Sequence, residues 1–379
     1  MRENSNNNRF IYLACPWAPM GGGMYKVVDY LIQAQRPGAG SADLRVLDTR
    51  GGGRAVLSWP VLLLALCKVL WGRLSGRLVG VHVNMAERLS LFRKGAVVLF
   101  ARALGLPVVL HLHAAQLHHF YRSLPRVLQA LVRRIFASAS VVVVLGEQAR
   151  KFVIDELGVP GNRVQVLING VPGNRVERRI RRHGQAFNIL FLGNLMERKG
   201  VSDLLKALAS PELASRRGQW HARFAGGGDV PHYKALAASL NAPDCVEFVG
   251  WADQARAAHL IAQADVLILP SYDEGLPLVI LEALAKGVAV ICTPVGEIPA
   301  VLTDGLNALF VQPGKIDEIA RALCRLMDDP QLLSTLEAGG AAIYAEKFSM
   351  DVFFRNVARI HQQQFGHCAA PATTHATEK

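Results

Sequence analysis

Short apolar runs alternate along this chain with longer stretches in which apolar residues recur every three or four positions, the pattern of strands separated by amphipathic helices. Before residue 170 the runs are Phe10 to Ala14, Leu44 to Leu47, Leu78 to Val83, Val108 to His113, Val141 to Leu145 and Val164 to Ile168. After residue 186 the rhythm restarts with Asn188 to Leu192, Ala222 to Ala225, Val246 to Val249, Val266 to Pro270, Val288 to Thr293 and Ala308 to Val311. Runs this short and apolar suit strands buried on both faces, as in parallel sheets covered by helices. Two such series predict an α/β chain of two Rossmann-like domains. The expected boundaries are an N-terminal domain over 1–172, a linker over 173–185 and a second domain over 186–350. Helical patterns over Lys315 to Asp328, Pro330 to Lys347 and Asp351 to Phe365 close the chain, and the aperiodic stretch 367–379 is expected to be disordered.

The strongest hydrophobic run, Val56 to Trp71, is broken by Pro60 and Lys68. A bilayer span needs about 20 clean residues, so this run reads as an amphipathic or buried helix. The polar start MRENSNNNRF and the early Pro16, Pro19 and glycine breaks argue against a signal peptide. Six scattered cysteines with no paired spacing read as reduced core residues of a cytosolic protein.

Charge changes the picture in one way. The formal net charge is +12, divided as +17 before about Gln185 and −5 after it, so the first half faces an anionic partner. Arg73, Arg77, Arg88, Arg93, Lys94, Arg102, Arg122, Arg126, Arg133 and Arg134 lie in or beside its apolar helical stretches. Each cation near an anionic bilayer contributes about 1 kcal/mol, which makes a membrane surface the expected partner. No nucleic-acid motif is evident, and nucleic acid is not expected.

The segment from Ser271 to Gly287, SYDEGLPLVILEALAKG, carries the most specific chemistry. It joins two apolar runs, with Glu274 in the loop and Pro277 and Gly287 marking the helix limits. Glu282 sits alone among apolar residues of that helix, where an ionised carboxylate needs compensating donors. It either turns to solvent, is held by a structural cation, or accepts from a ligand. Glu274, Gly275, Pro277 and Glu282 form an E-x(7)-E spacing that resembles the signature of the retaining glycosyltransferase family 4 of the GT-B superfamily. The likeness runs from about Phe10 to Gln364.

That resemblance implies a GT-B fold, two Rossmann-like domains whose sheets face a cleft, with the last helix, 351–366, returning to the first domain. It also implies a hexose moved from a UDP- or GDP-sugar to a lipid-linked or glycan acceptor, in exopolysaccharide or lipopolysaccharide assembly at the inner face of the plasma membrane. Glu282 would then hold the donor ribose, Glu274 would lie beside the sugar, and Gly275, Leu276 and Pro277 would line the sugar and its phosphate. Lys199 and Arg198, in the run Leu192 to Gly200, would neutralise the diphosphate. Asn194 stands where many members carry arginine, which puts one phosphate contact in doubt. Gly22 and Gly23, within the Gly21-Gly22-Gly23 cluster before a helix, would approach the diphosphate through backbone amides.

His113 ends the HLH of its strand and, by resemblance, lies near the sugar; the catalytic set implied is His113, Glu274 and Lys199. His111, His113, His118 and His119 could suggest a metal, yet no nearby carboxylate or cysteine completes a site, and none is expected. Gly226-Gly227-Gly228-Asp229 and Gly250-Trp251-Ala252 match further family loops of low specificity. No cofactor is expected beyond the nucleotide-sugar co-substrate. A nucleotide-sugar 2-epimerase, an oxidoreductase lacking its full dinucleotide fingerprint, and a non-catalytic sugar- or lipid-binding partner are the rival readings.

Overall fold

The computed structural model describes residues 9–17, 22–36, 41–52, 58–114, 116–173, 184–240 and 245–371. The chain divides into two compact units, one of Met1–Gly170 with Met350–Lys379, the other of Val171–Ser349.

The first unit runs β1 (Phe10–Cys15), α1 (Gly22–Ala34), β2 (Gln35–Arg36), β3 (Asp43–Asp48), α2 (Trp59–Leu74), β4 (Leu78–Met85) and α3 (Leu89–Ala103). It continues with β5 (Val108–Leu112), α4 (Leu117–Ser123), α5 (Arg126–Ser138), β6 (Val141–Val144), α6 (Glu147–Asp155) and β7 (Val164–Val166). Its sheet is parallel in the order β3-β1-β4-β5-β6-β7. Valines and leucines fill the central strands, and β5 and β6 are buried along their whole length. That is why these strands read as continuous apolar runs rather than alternating ones. Leu62, Ala65 and Val69 of α2, Val97 and Val98 of α3, and Ile135 and Phe136 of α5 cover the sheet.

The second unit runs β8 (Phe187–Leu192), α7 (Val201–Leu208), α8 (Pro211–Ala214), β9 (Trp220–Ala225), α9 (Val230–Ser239), β10 (Val246–Gly250) and α10 (Gln254–Gln263). Then come β11 (Val266–Leu269), α11 (Leu278–Leu284), β12 (Ala289–Cys292), α12 (Ile298–Val301), β13 (Leu309–Phe310), α13 (Ile316–Asp328) and α14 (Pro330–Ile343). Its parallel sheet has the order β10-β9-β8-β11-β12-β13. The two α/β sheets expected from the sequence are therefore present, each built on the strands read from the apolar runs.

The chain ends in the first unit with α15 (Met350–Phe365) and β14 (Ala370–Pro371). Phe365 packs so closely on β4 that a Cβ at Gly80 would lie 2.4 Å from its ring. The stretch expected to be disordered differs at its start, because β14 pairs antiparallel with β2 and the Cys368 carbonyl accepts from Ala42 N. Residues 372–379, most of the expected linker (174–183) and Gly21 lie outside the described residues.

Two other expectations are corrected. Arg93 and Lys94 are 8% and 0% exposed, so neither belongs to a solvated basic face. They fall on the inward side of α3 with buried Leu91, Val97 and Val98, where sequence order alone put them with the exposed arginines. The cysteines are all free, but only Cys15 and Cys292 are buried and Cys67 is exposed. No helix among the described residues is long and apolar enough to cross a membrane.

Candidate functional site

In open α/β sheets ligands bind outside the carboxyl ends of the strands, where the strand order reverses. In the second unit that point lies between β8 and β11. The chain leaving β8 turns at Glu197–Lys199, and Gly200 follows in a left-handed conformation at φ +68°. A Cβ there would sit 2.1 Å from the Pro270 carbonyl oxygen, so only glycine lets this turn press against the end of β11. The consequence is that Lys199 Nζ reaches Glu274 Oε1, and Ser271 Oγ donates to the same oxygen at 2.9 Å. The side chains are only 16% and 8% exposed, so this is an ion pair largely withdrawn from water. Such a pair contributes little net stability, yet removing one partner strands the other charge, at a cost of about 3–5 kcal/mol.

Arg198 faces the same loop differently. Its guanidinium donates to the Asp273 carbonyl at 2.5 Å, and its own carbonyl accepts from Tyr272 N at 2.9 Å. Gly275, Leu276 and Pro277 then lead into α11. Leu276 is buried, and the Gly275 carbonyl accepts from Glu297 N at 3.0 Å. Gly296, at φ +58°, comes so near the Glu274 carbonyl that a Cβ would be 1.9 Å away. The Glu274 loop is thus clamped between the β8 turn and the loop after β12. Sequence reasoning missed Ser271, Gly296 and Glu297; the order Gly-Glu four residues past the end of β12 was the one available signal.

Glu282 lies inside α11 as the sequence predicts, with Pro277 before the helix and Gly287 closing it at φ +62°. It is half-buried, and Lys286, one turn on, is buried. Burial pulls the Lys286 ammonium below its ordinary value while the Glu282 carboxylate pushes it back up. The glutamate is therefore not an uncompensated charge, since Lys286 lies just past the end of α11. Asn194 is exposed at the end of β8. Beside it the Gly226–Gly228 run packs backbone on backbone, with a Cβ at Gly226 only 1.9 Å from the Gly193 carbonyl.

The first unit holds its own group. Its sheet reverses order between β1 and β4, and Gly22 and Gly23 open α1 there, Gly22 at φ +70°. His113 follows β5, and its Nε2 pairs with Asn84 Oδ1 at 2.9 Å. Asn84 Nδ2 donates to the Ala14 carbonyl at 3.4 Å, which assigns the oxygen to the histidine side. His113 Nε2 therefore carries the proton and Nδ1 holds the lone pair. Behind them Lys94 Nζ donates to the Asn84 carbonyl. Burial lowers the Lys94 ammonium from 10.5 to about 7, with Arg93 adding to the fall.

His111 does not join His118 and His119. Instead its Nδ1 lies 3.3 Å from His82 Nε2, and His82 Nδ1 lies 2.8 Å from His361 Nε2 on α15. The three rings form a buried linear chain rather than a convergent ligand set, and no group of three or more metal-binding side chains occurs among the described residues. Burial holds all of them neutral, with His82 and His113 pulled down to about 3 and His111 and His361 well below the usual value. His118 and His119 lie against each other, their ring centroids 4.0 Å apart and their planes tilted by 40°.

A family model described as Glycosyl transferase 4-like domain matches residues 7–170, and one described as Glycosyl transferases group 1 matches 186–329. A D-inositol 3-phosphate glycosyltransferase of Streptomyces griseus is 34% identical over 176 residues, covering 43% of this chain and 36% of that protein. An alpha-D-kanosaminyltransferase of Streptomyces kanamyceticus is 26% identical over 282 residues, 70% of this chain and 72% of that one. The crystal structure of Anabaena HepE in complex with UDP superposes with a TM-score of 0.72 at 17% identity, covering 94% of this chain and all of that one. With both units matched by the models and both sheets built as the fold requires, the chain belongs to the GT-B glycosyltransferases of the family 4 type.

Proposed function

We propose that this chain is a retaining glycosyltransferase that moves a hexose from a UDP- or GDP-sugar onto a lipid-linked or glycan acceptor. The observation that carries the reading is the Lys199–Glu274 pair, withdrawn from water at the switch point of the second unit. A departing nucleoside diphosphate gains negative charge, and a preorganised cation at that place is worth about 2.7–4 kcal/mol in the transition state. Lys199 supplies it, and Glu274 holds the ammonium in place until the donor arrives and then lies beside the sugar. Arg198, Gly275, Leu276 and Pro277 line the donor, and Glu282 accepts from its ribose while Lys286 offsets the carboxylate. In the first unit Gly22 and Gly23 offer backbone amides to the diphosphate. His113, through its Nδ1 lone pair, accepts from a sugar hydroxyl. The acceptor approaches the basic first unit at an anionic membrane surface, and surface polysaccharide or lipopolysaccharide assembly is the setting that suits such an acceptor.

The test is release of UDP or GDP from a panel of hexose donors by the purified chain, with product stereochemistry read by NMR. Lys199→Ala is expected to lower turnover at least about tenfold. Turnover equal to wild type in that variant would remove the site assignment, and donor isomerisation without transfer would favour an epimerase.

A further inference from the structure

A surface helix normally turns charged and polar residues outward. α2 does the reverse. Leu62, Ala65, Val69 and Gly72 face the core of the first unit, as expected for a covering helix. On the opposite side Trp59, Leu63, Leu64, Leu70, Trp71 and Leu74 are exposed, Trp59, Trp71 and Leu74 by 68%, 75% and 73%. At 3.6 residues per turn these positions, with Pro60 and Cys67 among them, fill an outward sector of roughly 140° without one polar side chain. Lys68 borders that sector on one side and Arg73 on the other, and α2 contains no acidic residue. Arg73 is held at its border by a hydrogen bond from Nε to the Leu104 carbonyl, 3.1 Å long.

We propose that α2 is a membrane-docking helix that lies in the plane of an anionic bilayer, its outward face sunk to the boundary between headgroups and acyl chains. Its 16 residues are too few to span the hydrocarbon, which needs about 20, while an in-plane helix needs only one apolar face. The tryptophans near its two ends are side chains whose rings favour the headgroup level. Charge selects the occupant. A second copy docking symmetrically would set the basic border of one α2 against that of the other, whereas anionic headgroups complement both borders. The neighbouring layer agrees: α3 packs against both α2 and α5, and α5 exposes Arg126, Arg133 and Arg134. Leu89 at the start of α3 and Val127 on α5 add exposed apolar side chains, 56% and 80% accessible. The surface is therefore not the basic run singled out by the sequence, two of whose members are buried, but an apolar helix with a basic margin.

This inference deepens the membrane part of the proposed function and rests on it for its purpose, while the experiment separates the two. The full chain is mixed with vesicles of phosphatidylglycerol and phosphatidylcholine in equal parts, and binding is read by co-sedimentation and by quenching of tryptophan emission with brominated lipid. Wild type is expected to bind and to be quenched. The variant Trp59→Ser/Leu63→Ser/Trp71→Ser/Leu74→Ser, whose changed side chains are all exposed and so leave the core intact, is expected to lose at least about tenfold in partitioning at any salt concentration. Lys68→Glu/Arg73→Glu is expected to weaken binding at low salt and to match wild type at high salt. Unchanged partitioning of the quadruple variant overturns the proposal, as does a wild type that ignores vesicles, or a wild-type dimer that the quadruple variant converts to monomer. Nucleotide release with a water-soluble acceptor should be the same in wild type and the α2 variants. Loss of that release with vesicle binding intact would overturn the donor chemistry and leave the docking helix standing.

Discussion

Replacing Lys94 by methionine should make the first unit more stable, although it deletes a hydrogen bond. The lysine is 0% exposed and has the Asn84 carbonyl and the Met24 sulfur as its Nζ partners, with no carboxylate among them. Burial holds its ammonium at about 7 against the ordinary 10.5. At pH 7 the unfolded chain keeps the proton and the folded chain binds it far more weakly. At about 1.4 kcal/mol per tenfold change in proton affinity, the difference amounts to about 4–5 kcal/mol against the folded state. Methionine removes that cost and leaves the Asn84 carbonyl short of a donor, worth about 1–3 kcal/mol. The net expectation for Lys94→Met is a gain of about 1–4 kcal/mol at pH 7. The pH dependence provides the sharper check. Because the folded value lies below the unfolded one and the neutral amine is the form that suits the fold, this contribution improves as pH rises from about 7 to 10.5 and is constant below about 7. Urea denaturation of wild type across that window should show a rising midpoint, and Lys94→Met should lack that part of the slope. A variant less stable than wild type at pH 7, with the slope unchanged, would refute the reasoning.

The buried histidines act at the other end of the scale. His82 and His113 are held at about 3 against 6.5 unfolded, so the stability they confer is full above about 6.5 and is lost as pH falls from there toward 3. Urea midpoints at pH 7 and 5 should therefore differ, and His82→Phe should shrink the difference; an equal drop in both proteins would count against this account. Gly200→Ala should cost at least about 2 kcal/mol and depress nucleotide release, since its Cβ would strike the Pro270 carbonyl and displace Lys199. The control is Gly218→Ala, also left-handed at φ +83° but with open space around it, which should cost only about 1–2 kcal/mol and leave release intact. Equal effects in the two glycine variants would show that the close approach at Gly200 does not matter.

The strands of both sheets were legible in the chain because a parallel strand buried on both faces is apolar at most positions, and that constraint is local. The limits of α11 were legible for the same kind of reason: Pro277 and Gly287 act through their own backbone angles. So was the candidate site as a set of segments, since Lys199 and Glu274 each follow a strand end. What the chain did not disclose is that their side chains meet, for 75 residues separate them and only the adjacency of β8 and β11 joins them. The partners of the histidines were hidden likewise. His82, His111 and His361 come from β4, β5 and α15, and the chain neighbours His118 and His119 are elsewhere.

Charge was the least legible property. Arg73 and Lys94 look alike in a run of basic residues, but one lies at the rim of an exposed helix face and the other beneath the first sheet's switch point. Composition set the sign of the first half. Which cations meet solvent, and that the outward face of α2 is apolar instead, depended on how each helix is rotated about its axis when it packs. That rotation is fixed by the shape of the sheet beneath it, to which residues far along the chain contribute, and so only the tertiary structure decided it.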